Sequence, residues 1–404
     1  MIPSLRESFN REFSQEKYQQ FLQTVYNTYN YRPPFRIAET PVFIPNDLKE
    51  KLADAIADIN DVICRPDFKE LTRNAIRPPM ELVPNEDAHT QFLQMDFGIC
   101  RDENGDLTPQ LIEIQGFPSL YFFQDLLAKS YRQHYSIPDN FSSYHAGLSP
   151  ESYIQLLKEA IVGDSDPRTV VLLEIEPEKQ ATAIDFWATE AHLGIKVLCV
   201  TKVKKRGKNL YYIDDNGKEV PILKIYHRVI FDELDQRKDL KLEFSFHEEI
   251  NAQWVGHPNW FFRISKFTLP LFQSPYVPSS YYLEQLDQYP DDLENYVLKP
   301  LYSFAGSGVK LHITAAELDA IKDRQNFLLQ RKVTYDPCIH TPGEPAKCEI
   351  RMLMLWKKGE PRAHTVNNLM RLSKGEMIGV RYNKDKDFVG ASIGYFDGGL
   401  ISRD

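Results

Sequence analysis

Apolar residues recur at helical spacing from Glu12 to Tyr29 and from Asp47 to Ile63, while the proline-bearing stretch Arg32 to Pro45 between them must run extended. This predicts a helical layer at the start of the chain. Thr90 to Cys100 then reads as a strand, Asp102-Glu103-Asn104-Gly105-Asp106 as a turn built on Asn-Gly, and Pro109 to Gln115 as the return strand of a hairpin. From Arg168 onward the pattern gives an apolar strand at Thr169 to Ile175, a helix over Lys179 to Leu193 and a second strand at Ile195 to Val200. That order is a βαβ unit, which implies parallel pairing. Asn209 to Asp214 and Val220 to Arg228, joined by Asp215-Asn216-Gly217, predict a further hairpin, and the charged stretch Asp232 to Glu249 predicts a solvated helix face. Near the end, Thr314 with Glu317 three positions on marks the start of a helix over Ala315 to Gln325. The chain has no internal repeat and no low-complexity segment.

One segment interrupts this ordinary patterning. Tyr296-Val297-Leu298 and Val309 to Ile313 have strand composition, and between them Ser303-Phe304-Ala305-Gly306-Ser307-Gly308 has turn composition, with Lys299 just before it. Gly306 and Gly308 can adopt positive φ and let amide N–H groups converge on an anion. A P-loop or a dinucleotide fingerprint would need a helix to open after the glycines, with GK[ST] or a third glycine. A strand follows instead, so the segment predicts a hairpin lid over phosphates; its plain alternative is a surface hairpin with a solvated lysine.

Three further positions sit in strand-like contexts. Glu113 and Gln115 in LIEIQG are two apart and so share a face, and Glu349 lies in AKCEIRMLML. Together they could offer oxygens to a hard cation, since Mg²⁺ takes one or two carboxylates and completes its shell with phosphate oxygens and water. The alternative is the wet face of an amphipathic strand. Basic candidates are Lys299, Lys332 in FLLQRKV, Arg228 in KIYHR, Lys266 in RISKF, and Arg371 with Lys374 in NNLMRLSKG. The run FLLQRKV, an apolar strand over Phe327 to Gln330 turning polar, suits a hinge whose backbone pairs with an adenine edge; its plain alternative is a strand end.

Composition narrows the class of partner. With 404 residues, 42% hydrophobic and 26% charged, the chain is long enough for two or three globular domains. A net charge of −9 argues against a general binder of nucleic acid or anionic membrane, and leaves room for a local basic cleft that takes a small anion. Met1 to Tyr18 has no signal-peptide pattern and no later run reaches the roughly 20 apolar residues needed to span a bilayer, so a cytoplasmic location is expected. Five scattered cysteines without a CxxC pair predict free thiols, and the ten histidines show no zinc spacing beside them.

The order EIQG, a βαβ segment ending in YHR, then YVLKPLYSFAGSG, LLQRKV, CEIRMLMLW and NNLMRLSKGEMIGV resembles the circularly permuted ATP-grasp ligases, the group of eukaryotic glutathione synthetase and glutathionylspermidine synthase. The resemblance covers roughly Phe92 to Asn383. It implies an α/β ATP-grasp fold with a central parallel-sheet substrate domain and an N-terminal helical layer. The expected division is 1–150 for the part carrying the first metal motif, 151–275 for the substrate domain and 276–404 for the nucleotide-binding lid.

By the same resemblance, Glu113, Gln115 and Glu349 hold magnesium, with Gln115 replacing an asparagine and shifting its oxygen by one bond. Lys299, the loop residues Ser303, Ala305, Gly306, Ser307 and Gly308, the hinge Gln330, Arg331, Lys332 and Val333, and Lys374 contact ATP. Arg228 and Arg371 contact the acid substrate. Gln94-Met95-Asp96 stands where relatives have R-x-D, and Met377 and Ile378 make the lid after Lys374 bulkier; both imply a substrate other than that of glutathione synthesis. The implied activity is ATP- and Mg²⁺-dependent joining of an amino-acid or peptide carboxylate to an amine, and a homodimer is compatible with it. A catalytically degenerate nucleotide sensor is the other reading the resemblance allows.

Overall fold

The computed structural model describes residues 1–76, 82–302, 308–375, 378, 383 and 385–400. Its centre is a five-stranded antiparallel sheet in the order Gly390–Ser392, His364–Ser373, Lys347–Leu355, Phe92–Arg101, Leu107–Gln115. The hairpin expected around Asn104-Gly105 supplies the last two strands. The other three arrive from the C-terminal quarter, about 250 residues later.

Alternation assigns the two faces of this sheet. Leu93, Met95, Phe97 and Ile99 of one strand and Cys348, Ile350, Met352 and Met354 of its neighbour point into a single core. The helix Asn46–Ile63 belongs to the same core through Leu48, Leu52, Ala55, Ile56, Ile59 and Ile63, one stripe at helical spacing. Each leucine or isoleucine so taken from water contributes about 2 kcal/mol. The opposite face carries the polar set Gln94, Asp96, Glu113, Gln115, Glu349, Arg351 and Arg371, placed there by the same period of two.

The βαβ unit is present. Val170–Glu174 and Lys196–Cys199 pair in parallel on either side of the helix Ala183–Leu193, within a four-stranded sheet ordered Gln253–Val255, Lys224–His227, Val170–Glu174, Lys196–Cys199. Both of its faces are covered, Val170 and Leu172 entering one core and Val171 and Leu173 another. Two expectations differ here. The strand read over Val220 to Arg228 breaks at Leu223: Glu219–Ile222 pairs with Asn209–Ile213 in a small antiparallel sheet, and Lys224–His227 crosses into the parallel one. The charged stretch after Asp232 is helical only over Phe231–Gln236, because Phe244 and Phe246 are drawn into the core and its acids pair with Lys204, Lys205 and Lys208.

A three-stranded sheet, Ser280–Tyr282, Phe327–Arg331, Tyr296–Pro300, forms the third layer. The expected hairpin between 296–298 and 309–313 is reduced to one bridge, Leu298 with Lys310; the true partner of Tyr296–Pro300 is Phe327–Arg331. The helix begun by Thr314 has its capping box but ends at Asp319. No helix among the described residues is long and apolar enough to cross a membrane, and all five cysteines are free.

Candidate active site

The polar face of the central sheet gathers its charged groups by register. Glu349 lies opposite Arg371 on one side and Gly98 on the other, Arg351 lies opposite Asp96, and Asp96 lies opposite Glu113. Arg351 grips Asp96 with two bonds, Nε to Oδ1 at 2.6 Å and Nη2 to Oδ2 at 2.7 Å, and donates through Nη1 to Gln94 Oε1 at 3.1 Å. Arg371 donates to both Asp96 Oδ2 and Glu349 Oε1. The other oxygen of Glu349 accepts from the Tyr335 hydroxyl at 3.0 Å. Three strands and one loop thus share one ionic network.

Lys299 enters from the third layer. Its Nζ donates to Gln330 Oε1 on the neighbouring strand and to the Ile112 carbonyl of the central sheet at 2.9 Å, so the lysine spans the seam between the two sheets. Burial disfavours its charge while Glu113, Glu349 and Asp96 favour it, and its pKa falls to about 8. Lys266 completes the set, 3.8 Å from Glu113. Its approach depends on Gly116: a Cβ there would stand 2.5 Å from the Trp260 carbonyl, and the Gly116 amide donates to the Ile264 carbonyl at 2.8 Å. Only glycine after Gln115 lets the segment carrying Lys266 lie so close.

Burial raises the pKa of Glu113, but Lys266, Arg351, Arg371 and Lys299 outweigh it and hold the carboxyl at about 2. Glu349 moves the other way, since burial and the nearby Asp96 and Glu113 exceed the pull of Arg371. Glu113, Gln115, Ser265 and Lys266 line a cavity of about 30 Å³, room for a group the size of a water or a bare ion. As a ligand for a hard cation Glu113 fits, being ionised and partly exposed beside that cavity. Gln115 turns its amide nitrogen, not its oxygen, toward Glu113. Glu349 is only 4% exposed, with both oxygens held by protein donors. Among the described residues no group of three or more His, Cys, Asp or Glu is arranged to hold a metal.

The remaining expected residues lie apart or outside. Arg228 is fully buried in the parallel-sheet layer, where it donates to Asp185 Oδ2 at 2.8 Å and faces the rings of Phe117 and Phe186. Lys332 donates to the Glu294 carbonyl and Arg331 to Asp292, neither bonding a carboxylate of the central sheet, and Val333 is half-buried after the strand end. Lys374 contacts Thr341 and the Phe388 ring. Ser303, Ala305, Gly306 and Ser307 lie outside the described residues; Gly308 has φ +73° and packs on Pro300. Sequence reading passed over Arg351 and Tyr335 and kept Asp96 only as part of a departure. The signal for two of them was present, as E-x-R and Q-x-D put pairs of polar groups on one strand face. A groove of about 690 Å³ lies elsewhere, beside the 209–222 hairpin, and Arg168 pairs with Asp166 and Lys196 with Asp215 along it.

No protein-family model and no curated protein matches this sequence. Among solved structures, the apo form of a glutathione synthetase-like effector from Globodera pallida is similar, with a TM-score of 0.55 and 11% identity over 96% of this chain and 98% of that one. The fold is glutathione synthetase-like. A likeness at this identity concerns architecture, and the chemistry rests on the residues described above.

Proposed function

We propose that the chain is an ATP-dependent carboxylate–amine ligase of the ATP-grasp type that works through an acyl phosphate. The observation that carries this reading is the meeting of Lys299 and Lys266 with Glu113 across the seam of two sheets, residues from three distant segments. Such a seam suits phosphoryl transfer, where catalysis consists of positioning and charge neutralisation more than covalent chemistry by the protein. Lys299 and Lys266 hold the phosphates and Glu113 holds a magnesium ion, which neutralises charge on the phosphate oxygens. The 30 Å³ cavity is smaller than a triphosphate, so the three-stranded layer swings outward to admit the nucleotide and Lys299 exchanges the Ile112 carbonyl for a phosphate oxygen.

In the first step a carboxylate oxygen of the acid substrate bonds to the γ-phosphorus as the bond to the ADP oxygen breaks. In the second, the amine nitrogen bonds to the acyl carbon, phosphate leaves and the nitrogen loses a proton. No side chain acts as nucleophile. The test is incubation with Mg-ATP and pooled amino acids, peptides and polyamines, following ADP, phosphate and the mass of any product. Release of ADP and phosphate equal to new amide is expected; nucleotide binding with no turnover on any pool would replace the ligase with a nucleotide-binding relative. That second reading is favoured by one feature, the closure of Asp96 and Glu349 by arginines.

A further inference from the structure

Arg371 stands directly opposite Glu349 in register, and its Nη2 donates both to Glu349 and to Asp96, which come from two different strands. A single positive centre between two carboxylates is the arrangement of a divalent ion held by Asp and Glu. Here a guanidinium nitrogen occupies it. Every oxygen of the pair is already used: Asp96 accepts from Arg351 twice and from Arg371, and Glu349 accepts from Arg371 and Tyr335.

We propose that Arg371 is the resident cation of this cleft, standing where a second metal ion would otherwise join Asp96 to Glu349, so that the polyphosphate binds with one metal ion only, at Glu113. Charge supports the assignment. Lys266, Lys299, Arg351 and Arg371 outnumber Asp96, Glu113 and Glu349, so the cleft already favours an anion before any metal enters. Arg371 also keeps a donor in reserve, since its buried Nε has no partner among the described residues. A metal between Asp96 and Glu349 would have to displace guanidinium bonds from both. With Arg371 neutralised, Asp96 keeps Arg351 but Glu349 loses its one cationic hydrogen-bond partner and keeps only the Tyr335 hydroxyl, and the pair recruits a cation from solution.

This rests on the nucleotide reading above, and the experiment separates the two. The full-length chain is saturated with AMP-PNP, a non-hydrolysable ATP analogue, and bound Mn²⁺ is counted by electron paramagnetic resonance. One Mn²⁺ per chain is expected for the native protein and for Arg371→Lys, and two, with the spectrum of a coupled pair, for Arg371→Gln. In EDTA, Arg371→Gln is expected to bind AMP-PNP roughly tenfold more weakly than the native protein, the loss of one charge-assisted bond. Two Mn²⁺ in the native protein overturn the proposal even if the variants do not fold, and so does a single Mn²⁺ in Arg371→Gln. Failure of AMP-PNP to bind the native protein overturns the nucleotide reading and this proposal with it.

Discussion

Two arginines that resemblance placed against the same substrate have opposite surroundings. Arg228 and Asp185 are 2% and 0% exposed, and Asp185 also accepts the backbone amides of Leu120, Phe122 and Phe123 at the start of the helix Tyr121–His134. Burial works against the charge of Arg228, yet Asp185 overcomes it and raises its pKa. That pair ties the parallel sheet to the helix beside it. Arg371 forms ion pairs of the same chemistry but keeps 36% of its side chain exposed and lies on the face that Lys299 also reaches. The difference teaches that an arginine's residue type and motif say little of its surroundings, which the packing around its partner decides: one pair is sealed inside, the other is left open to a cleft.

The sharpest way to break this comparison is Asp185→Ala. It leaves Arg228 buried without its partner and strands three amides, so a stability loss of about 3–5 kcal/mol is expected in denaturant unfolding. A loss below about 1 kcal/mol, accompanied by failure to bind substrate, would move Arg228 to the binding side. Next in size is Lys299→Met, expected to weaken nucleotide binding by roughly tenfold to a hundredfold in calorimetry. The same lysine sets a pH dependence. Anion binding needs its charged form, so affinity should hold up to its pKa of about 8 and fall as pH rises beyond it. In Lys299→Met that fall should vanish, and a persistent one would assign the titration elsewhere.

A smaller effect is expected at Glu174, the end of a parallel strand near Arg228. Burial raises its pKa to about 8 against the pull of the Ile175 amide and Arg228. A carboxyl raised above its unfolded value of 4.5 adds stability that is complete below that value and lost as pH rises through about 8. Glu174→Gln should therefore flatten the decline in melting temperature between those values, and an unchanged decline would remove Glu174 as its source. Smallest of all is Arg331→Ala, whose pair with Asp292 is solvent-exposed; stability and nucleotide affinity should each change by less than about 0.5 kcal/mol. A clear loss of affinity would bring the hinge back to the site.

Local pattern made the long elements legible. The helix Asn46–Ile63, the hairpin through Asn104-Gly105 and the parallel pairing of Val170–Glu174 with Lys196–Cys199 follow from periodicity and turn chemistry acting over a few residues. The elements that were misread fail for a common reason. Tyr296–Pro300 pairs with a strand about 30 residues on and not with its near neighbour, and Lys224–His227 leaves its hairpin for a sheet that buries it on both faces. Both choices are made by burial, which no short window contains.

By itself, then, the chain determined which residues share a face: Glu113 with Gln115, Glu349 with Arg351, Gln94 with Asp96, because side chains on a strand alternate whatever lies around them. It could not determine which faces meet. That Arg371 closes on Asp96 across 275 positions, that Lys299 reaches the carbonyl of Ile112, and that Arg228 is sealed against Asp185 are outcomes of register and packing between distant segments. Charges interact through space with a strength set by distance and burial, and only the tertiary structure fixes either.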